Sequence, residues 1–343
     1  MPFYLKNHEK RLYMKKSILF FVFFEFLCIP FVKGEGPFGY ISNSTLNIGD
    51  DIQTIAAKRF LPENSISIDR EFISEFNYGS TIKTVVSGWF MHHSKDVYWD
   101  LQVPPPQKCW PPSPVIDPFF ISFHITGSIQ PIIFSDENIE YLKIHGPIGA
   151  RDLFTLHALQ KRDVPCYFSG CLTLTLENTC EERGDTIYLV DLHEDAIKYI
   201  RSKVKSPIVV LTHSRPFLQF LTQERRLKYT EHLLDLYRKA KCVVTTRLHA
   251  AMPCLAFKTP VFVIPSDTKG SINLRFTGLE ELTWHCSTEE LCNGEIDYDF
   301  DNPPKNPETY IPMRENLIQR MTEWVNKNSQ STEKMLEING DDS

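Results

Sequence analysis

The chain has 343 residues, of which 42% are hydrophobic and 23% are charged, so it is long enough for two domains with substantial cores. Its net charge of -6 at pH 7 argues against a large basic surface, and we expect no nucleic acid partner. Any site that binds an anion must therefore be a local one.

The first 34 residues are predicted to form a secretory signal. Five basic residues between Lys6 and Lys16 precede an apolar run over 18–32, and the residues near its end suit a signal peptidase. The run is shorter than the ~20 residues of a spanning helix and Glu25 interrupts it, so a retained membrane anchor is the alternative. Either interpretation places the folded part, from about Glu35, in a secretory lumen, the periplasm or outside the cell.

The nine cysteines show no metal-binding spacing, since the sequence contains no C-x-x-C pair. We therefore predict no metal site. Eight cysteines remain if Cys28 is removed with the signal, and an even number permits disulfides in an oxidising compartment.

Short apolar segments alternate with segments of helical periodicity from residue 36 to about residue 184. We predict strands at FGYIS, TVVSG, FFISFHI and CYFSG, and helices over Asp50–Phe60 and Arg151–Lys161. The polar stretch Glu177–Asp185 breaks this pattern, and it is the predicted domain boundary.

The same alternation continues after the boundary. Predicted strands are TIYLVDL, PIVVLTH, CVVTT and PVFVI, and predicted helices cover 194–204, about 217–240, the residues after Arg247, and 314–326. Continuously apolar strands separated by helices indicate parallel sheets covered on both faces. We predict an α/β fold of two Rossmann-like, doubly wound domains, residues 35–184 and 185–328, followed by a disordered tail over 329–343.

Arg247 and His249 stand out because they interrupt a long apolar stretch. Arg247 follows the strand CVVTT and begins a helix, where free backbone N–H groups and the helix dipole favour an anion. A guanidinium there strengthens a site for phosphate or carboxylate. The structural alternative is that Arg247 pairs with a neighbouring acid and His249 is a hydrogen-bonded core residue.

A second candidate segment is the turn before the first helix, Asn47 to Asp50. Gly49 permits close approach of the backbone to a ligand, and Asp50 is the predicted cap of the helix. The same residues also serve as ordinary turn and cap chemistry with no further function, which is the alternative.

Arg151 begins the helix over 151–161 and offers a second guanidinium to the cleft between the domains. Its structural alternative is a surface ion pair with Asp152, which contributes little free energy. His124 and His213 follow predicted strands, and carboxyl ends of parallel strands are where ligands bind in this class of fold.

These segments together resemble the polysaccharide pyruvyl transferase family, over about residues 38–264. The most specific part is Arg247-Leu248-His249 within a strand, helix and strand, and the Asn47-x-Gly49-Asp50 turn and the Arg151-Asp152 helix start match in order. The resemblance implies a glycosyltransferase-B-like pair of domains, with the acceptor on the N-terminal side and the donor on the C-terminal side.

The resemblance also implies transfer of a pyruvyl group from phosphoenolpyruvate to two sugar hydroxyls, which forms a cyclic ketal and releases phosphate. The donor would be held by Arg151, Arg247 and the backbone at Leu248, because each guanidinium offers a planar fork to an anionic group. No separate cofactor is expected. His249 is the implied general acid and Asp50 the implied base. The acceptor side would include Asn47, His124 and His213.

Two other functions remain open from the sequence. A nucleotide-sugar glycosyltransferase would use a divalent metal, and the Asp-x-Asp pairs Asp297-Tyr298-Asp299 and Asp299-Phe300-Asp301 offer carboxylates, although an acidic, proline-flanked loop is usually solvated. A secreted carbohydrate-binding protein without turnover is the other. A dehydrogenase is disfavoured because the chain lacks a G-x-G-x-x-G loop.

Overall fold

The computed structural model describes residues 37–90, 108–180, 182–265 and 274–338, with side chains through residue 329. The predicted signal over residues 1–34, with its alternative anchor over 18–32, lies outside the described residues. The described residues belong to one compact unit, Glu35–Ser343.

The first part of the chain builds a sheet of six parallel strands in the order β2-β1-β3-β4-β5-β6. The strands are β1 (Phe38–Ser42), β2 (Ile66–Asp69), β3 (Ile82–Phe90), β4 (Ile116–Ile125), β5 (Ile148–Ala150) and β6 (Cys166–Phe168). Its helices are α1 (Ile48–Lys58), α2 (Gln130–Ile133), α3 (Asp136–Ile144) and α4 (Leu153–Gln160).

The second part builds a sheet of five parallel strands in the order β11-β10-β9-β7-β8. The strands are β7 (Ile187–Val190), β8 (Ile208–Leu211), β9 (Cys242–Thr245), β10 (Val261–Val263) and β11 (Trp284–His285). The helices are α5 (Glu194–Lys203), α6 (Gln223–Lys239), α7 (Leu248–Ala256), α8 (Thr288–Asn293) and α9 (Ile311–Ile338).

This architecture confirms the predicted α/β class, and two parallel sheets with helices between their strands are consistent with a Rossmann-like fold. The eight strands predicted from apolar runs are all present. The sequence prediction missed β2, β5 and β11, which are four, three and two residues long and too short to show a pattern.

Two helix boundaries differ from the prediction. Helix α6 begins at Gln223 and not near Phe217, because Thr222 caps it by accepting from Arg225 N, and Pro216–Phe220 forms a separate 3₁₀ turn. Helix α9 continues through Ile338, so the backbone is helical past residue 329, where the predicted tail begins. The sequence after residue 329 contains the good helix formers Glu, Lys, Met and Leu.

The strand order of each sheet reverses at one place. In the first sheet the reversal lies between β1 and β3, and in the second it lies between β7 and β9. Ligands of open α/β sheets bind at the carboxyl ends of the strands beside such a reversal. The residues that follow β7 and β9 are therefore the first place to look for a site.

The start of α1 holds the two sheets together. Ile48 N donates to His213 O at 3.0 Å, and Arg215 N donates to Leu46 O at 2.8 Å, so the turn before α1 is hydrogen-bonded to the loop after β8. Ile48 and Leu248 also belong to one buried apolar cluster that both halves of the chain share. The groups at the carboxyl ends of the two sheets are consequently held at a fixed distance.

Arg226 of α6 adds a buried ion pair to this junction. Its Nε and Nη2 donate to the two carboxylate oxygens of Asp51 at 3.1 and 2.9 Å, and Nη2 also donates to Asn43 Oδ1 and Thr45 O. Both charged side chains are almost fully buried. A paired carboxylate and guanidinium are tolerated there because each satisfies the other's hydrogen bonds.

None of the helices in the described part of the chain is both long and apolar enough to cross a bilayer. The eight described cysteines are all free thiols.

Candidate active site

Arg247 lies between β9 and α7, as the sequence predicts: Thr246 separates it from the end of β9, and it is the N-cap residue of α7. Its backbone N–H donates to Thr245 Oγ1 at 2.9 Å, and its Nε donates to Asp191 Oδ2 at 2.7 Å. The side chain keeps 31% of its surface exposed. The pairing with a neighbouring acid that was the structural alternative is thus present, yet the guanidinium still reaches open space.

Asp191 follows β7 and is the residue that holds Arg247. Its backbone adopts a left-handed conformation with φ of 54°, which aspartate tolerates better than most residues. The carboxylate also accepts from His213 N at 2.9 Å. Burial favours the protonated acid, but hydrogen bonds from Thr212 and His213 N–H and the charge of Arg247 outweigh it and hold the pKa of Asp191 below its usual value.

His249 lies in the first turn of α7 with 6% of its surface exposed. Its Nδ1 is 3.4 Å from Gln53 Nε2, and its buried Nε2 has no hydrogen-bond partner among the described residues. Burial, followed by the charges of Arg151 and Arg275, holds the pKa of His249 well below its usual value. The ring is therefore neutral, with one ring nitrogen left over for a ligand.

Gly49 is packed against two histidine rings. A Cβ on Gly49 would lie 3.1 Å from His249 Nδ1 and 3.2 Å from His213 Nδ1. The sequence predicts that this glycine lets a ligand approach the backbone, whereas the groups that lie against it in the structure include the two imidazoles of the protein itself. The α1 turn thus fixes the positions of both rings.

Arg151 lies two residues before α4, close to the helix start that the sequence predicts, and it follows β5, a strand that the sequence does not predict. Its surroundings differ from the surface pairing that was the alternative. The residue is fully buried, at 0% exposure, and so is Asp152. Arg151 Nε lies 3.4 Å from Asp152 Oδ2, and both Nε and Nη2 of Arg151 have no hydrogen-bond partner among the described residues. Buried guanidinium N–H groups without acceptors are costly, so this arginine is a strong candidate for binding an anion.

His124 and Asp152 form a fully buried dyad. His124 Nδ1 lies 2.5 Å from Asp152 Oδ2, and Asp152 also caps α4 by accepting from Thr155 N at 2.9 Å. Burial lowers the pKa of His124 to about 4, so the neutral ring donates Nδ1–H to an ionised carboxylate. The buried Nε2 of His124 has no partner among the described residues.

A break in the sheet lies two residues before His124. Ser122 in the middle of β4 has a φ of 54°, and the pairing of β3 with β4 shifts register opposite it, between Val86 and Gly88. Ser122 N donates to Ser169 Oγ at 3.0 Å and Ser122 Oγ donates to Gly170 O. Such a bulge bends a strand and turns its later side chains, which places His124 opposite Trp89.

His213 follows β8, and its ring nitrogen Nε2 lies 2.8 Å from Tyr237 Oη. The residue is 1% exposed, and burial lowers its pKa to about 3. One ring nitrogen of His213 is hydrogen-bonded to Tyr237 in the interior, and the other lies against Gly49. The structure therefore brings His213 close to Gly49, as it does His249, but both ring nitrogens of His213 contact the protein itself.

Asn47 and Asp50 have mixed surroundings. Asn47 Oδ1 accepts from Gly49 N at 3.0 Å, so Asn47 caps α1 and the structural alternative describes its side chain. The prediction that Asp50 caps this helix is wrong, because α1 begins two residues earlier, at Ile48. Asp50 Oδ2 accepts from Thr45 Oγ1 at 2.9 Å and from Arg70 Nη2 at 3.3 Å. Its Oδ1 is buried without a partner among the described residues, so one lone-pair face of this carboxylate is available.

An open cleft of about 1000 Å³ lies at the carboxyl ends of β7, β9 and β10. Arg247, Thr246, Asp191 and Trp89 are among its lining residues, together with residues of α8. Arg151 and His249 are buried and do not line it. Leu248, whose backbone is part of the predicted donor site, buries its side chain in the shared apolar cluster.

Sequence reasoning missed Arg275. This residue is 7% exposed, lines the cleft and lies with its guanidinium 4.7 Å from the centre of the Trp89 ring. Burial and the charges of Arg151 and Arg247 lower its pKa to about 10, so it is still charged at neutral pH. Asp191 was missed as well, although it follows an apolar strand in the same way as His213.

The carboxylates of Asp299 and Asp301, which suggested a metal site in the sequence, accept hydrogen bonds from backbone N–H groups. Asp299 Oδ1 accepts from Asp301 N at 2.9 Å, and the two carboxylate oxygens of Asp301 accept from Lys205 N and Ser206 N. These carboxylates close a turn and fix the loop before β8. In the described part of the chain, no group of three or more His, Cys, Asp or Glu residues is arranged to hold a metal ion.

A comparison with known families gave a match to the family model for polysaccharide pyruvyl transferase, over residues 139–268. No curated protein matches the chain. The matched segment contains Arg151, Arg247, Leu248 and His249, whereas Asn47, Asp50 and His124 lie before it. The resemblance inferred from the sequence is therefore confirmed for residues 139–268, the segment that carries both predicted donor-binding arginines.

Proposed function

We propose that this protein transfers a pyruvyl group from phosphoenolpyruvate to two hydroxyls of a saccharide, forming a ketal and releasing phosphate. In this proposal the two sheets belong to a glycosyltransferase-B-like pair of domains, with the donor at the carboxyl ends of β7 and β9. The match over residues 139–268 supports a transferase of this family.

The observation that carries the proposal is the state of Arg151. The guanidinium is at 0% exposure, its Nη2 has no hydrogen-bond partner among the described residues, and its Nε has only the 3.4 Å ion-pair contact with Asp152, so a further anion would satisfy N–H groups that are otherwise costly to bury. The charges of Arg151 and Arg247 both lower the pKa of His249, so the two guanidinium groups lie within electrostatic range of the same imidazole ring. A small donor with a carboxylate and a phosphate has one anionic group for each of them.

Donor binding would also change the state of His249. Burial and then the positive charges around it disfavour the imidazolium, and a phosphate and a carboxylate among those charges would offset the charge effect and raise the pKa of His249. A protonated His249 could then give its proton to the methylene carbon of the donor. The charge that develops at the neighbouring carbon would be attacked by a sugar hydroxyl.

Every proton in this proposed reaction can be assigned without a further reactant. His249 takes up a proton from solvent when the donor binds and gives it to the methylene. Asp50 Oδ1 is the proposed acceptor of one hydroxyl proton from the sugar, and it returns that proton to solvent when the products leave. The second hydroxyl attacks the same carbon, and its proton leaves with the phosphate. The products are a methyl-bearing ketal and inorganic phosphate.

The test is incubation of the purified full chain with phosphoenolpyruvate and a panel of galactosides, mannosides and N-acetylhexosamines. The proposal predicts phosphate release that depends on one of these acceptors, and a product that is heavier by one pyruvyl group. It fails if no acceptor is modified and phosphoenolpyruvate leaves the melting temperature unchanged. The melting temperature distinguishes the two reasons for failure: if phosphoenolpyruvate raises it but no acceptor is modified, the donor is right and the acceptor panel is wrong.

A further inference from the structure

Arg275 lies at the open cleft, although it belongs to neither sheet. It follows β10 in the chain, is 7% exposed and lines the same cleft as Arg247. A long cationic side chain with so little exposure is held in one place by what surrounds it, and the part that stays exposed faces the cleft.

Trp89 is one of the residues that position the guanidinium. It lies near the end of β3, where its backbone pairs with His124, and Arg275 sits over its ring at 4.7 Å. Stacking on an aromatic face leaves the edge of the guanidinium, with its N–H groups, directed away from the ring. The first sheet therefore orients an arginine that the second half of the chain supplies.

Arg275 lies within electrostatic range of two other guanidinium groups and of two carboxylates. The like charges of Arg151 and Arg247 lower the pKa of Arg275, and the opposite charges of Asp50 and Asp152 raise it. The charge of Arg275 in turn contributes to the lowered pKa values of three buried histidines, His124, His213 and His249. Three guanidinium groups in a largely buried site repel one another, and a polyanion among them removes that repulsion.

We propose that Arg275 binds the phosphate of the donor together with Arg247. This inference rests on the proposed function, because it assigns a residue to one part of that donor. Both arginines line the open cleft, so a phosphate held between them can leave to solvent after the reaction. Arg151 does not line the cleft and takes the carboxylate, which stays with the transferred group.

The first test measures inorganic phosphate binding to the full chain by calorimetry, and the KM for phosphoenolpyruvate. Arg275→Gln should lower the affinity for phosphate and raise the KM for phosphoenolpyruvate, each by about tenfold or more, because charge-assisted hydrogen bonds to the phosphate are lost. Arg238→Gln is the matched control: Arg238 is also 7% exposed and also stacks on an aromatic ring, that of Phe257 at 4.5 Å, but it lies in α6 outside the cleft. The control should bind phosphate like the parent.

A folded Arg275→Gln variant with parental phosphate affinity overturns the inference. Failure of this inference can be distinguished from failure of the proposed function, because phosphate binding by the parent and by Arg247→Gln is measured in the same series. If the parent binds neither phosphate nor phosphoenolpyruvate, the proposed function and the inference both fail. If Arg247→Gln loses phosphate affinity and Arg275→Gln does not, only the inference fails.

The second test needs no variant to fold. The parent chain is treated with phenylglyoxal, which modifies accessible arginines, with and without inorganic phosphate, and the modified peptides are identified by mass spectrometry. Phosphate should protect Arg275 and Arg247 together and leave the exposed Arg225 equally modified in both samples. Modification of Arg275 that phosphate does not reduce contradicts the assignment.

Discussion

Arg247 Nε donates to Asp191 Oδ2 at 2.7 Å, and the two residues follow the strands between which the order of the second sheet reverses. Asp191 supplies three contacts at once. Its carboxylate holds Arg247 and His213 N, and its carbonyl accepts from Thr246 Oγ1 at 3.0 Å. The ion pair therefore orients the guanidinium toward the cleft and does not simply neutralise it.

Replacing Asp191 by asparagine should test this orienting role. Asparagine tolerates the left-handed backbone and keeps the shape of the side chain, but it removes the charge that aligns Arg247. We expect the KM for phosphoenolpyruvate to rise about tenfold or more with little change in melting temperature. A variant with parental kinetics would show that Arg247 is positioned without Asp191.

Donor binding should be linked to proton uptake by His249. In the empty site its pKa lies well below the usual value, and a bound anion raises it, so the complex carries more protons than the free protein between those two pKa values. The donor affinity should consequently fall as pH rises through that window.

Calorimetry in two buffers of different ionisation enthalpy measures this uptake. The donor phosphate has its own titration, so the informative quantity is the difference between the parent and His249→Asn, which we expect to be a net uptake in the parent. Equal proton counts in the two proteins would contradict the role of His249. The variant should also lower kcat about a hundredfold or more, as loss of a general acid does.

His124 should make the folded protein sensitive to mild acid. Its folded pKa is about 4 and its unfolded pKa is about 6.5, so the unfolded chain binds more protons between these values and stability falls as pH falls below about 6.5. From pH 7 to pH 5 this amounts to a loss of on the order of 2 kcal/mol.

His124→Asn keeps a donor for Asp152 and does not titrate. The free-energy gap between the parent and this variant, measured by urea unfolding, should therefore shrink by about 2 kcal/mol on going from pH 7 to pH 5. A gap that stays constant over this range would mean that His124 has an ordinary pKa in the folded protein.

The buried pair of Arg226 and Asp51 should be the main polar contribution to the junction between the two sheets. Arg226→Leu leaves Asp51 as an uncompensated buried carboxylate, which costs about 3–5 kcal/mol of unfolding free energy. Adding Asp51→Asn should recover much of that loss, because the stranded charge is removed. Both values come from urea unfolding.

An exposed pair provides the control for this measurement. Glu177 forms an ion pair with Arg59 and keeps 66% of its side-chain surface exposed. Glu177→Gln should cost no more than about 1 kcal/mol. If Arg226→Leu costs as little as the control, the junction depends on its apolar contacts alone.

Much of this arrangement follows from one rule that the sequence makes visible. Polar residues at the carboxyl ends of apolar strands meet at one edge of a parallel sheet, and this rule predicts the places of Arg247, His124 and His213. Arg151 is predicted only as the start of a helix, because β5 before it is too short to show a pattern. Applied once more, the rule would have found Asp191 at the end of TIYLVDL.

The remaining features depend on contacts between distant segments. Arg275 does not lie at the carboxyl end of a strand, and its stacking on Trp89 joins two segments that are far apart in the sequence. The bulge at Ser122 depends on hydrogen bonds to Ser169 and Gly170, which no local pattern encodes. Similarly, the sequence cannot distinguish an exposed Arg151 from a fully buried one, because burial is set by how the two sheets pack.

The most direct test of the account is a calorimetric titration of phosphoenolpyruvate into the purified full chain and into Arg247→Lys. Lysine keeps the charge but replaces a planar fork with a single ammonium group. The account predicts saturable binding of one donor per chain by the parent, and binding at least about tenfold weaker by the variant, with both proteins equally stable. A parent that does not bind phosphoenolpyruvate, or a variant that binds it equally well, would contradict a donor site built around Arg151, Arg247 and His249.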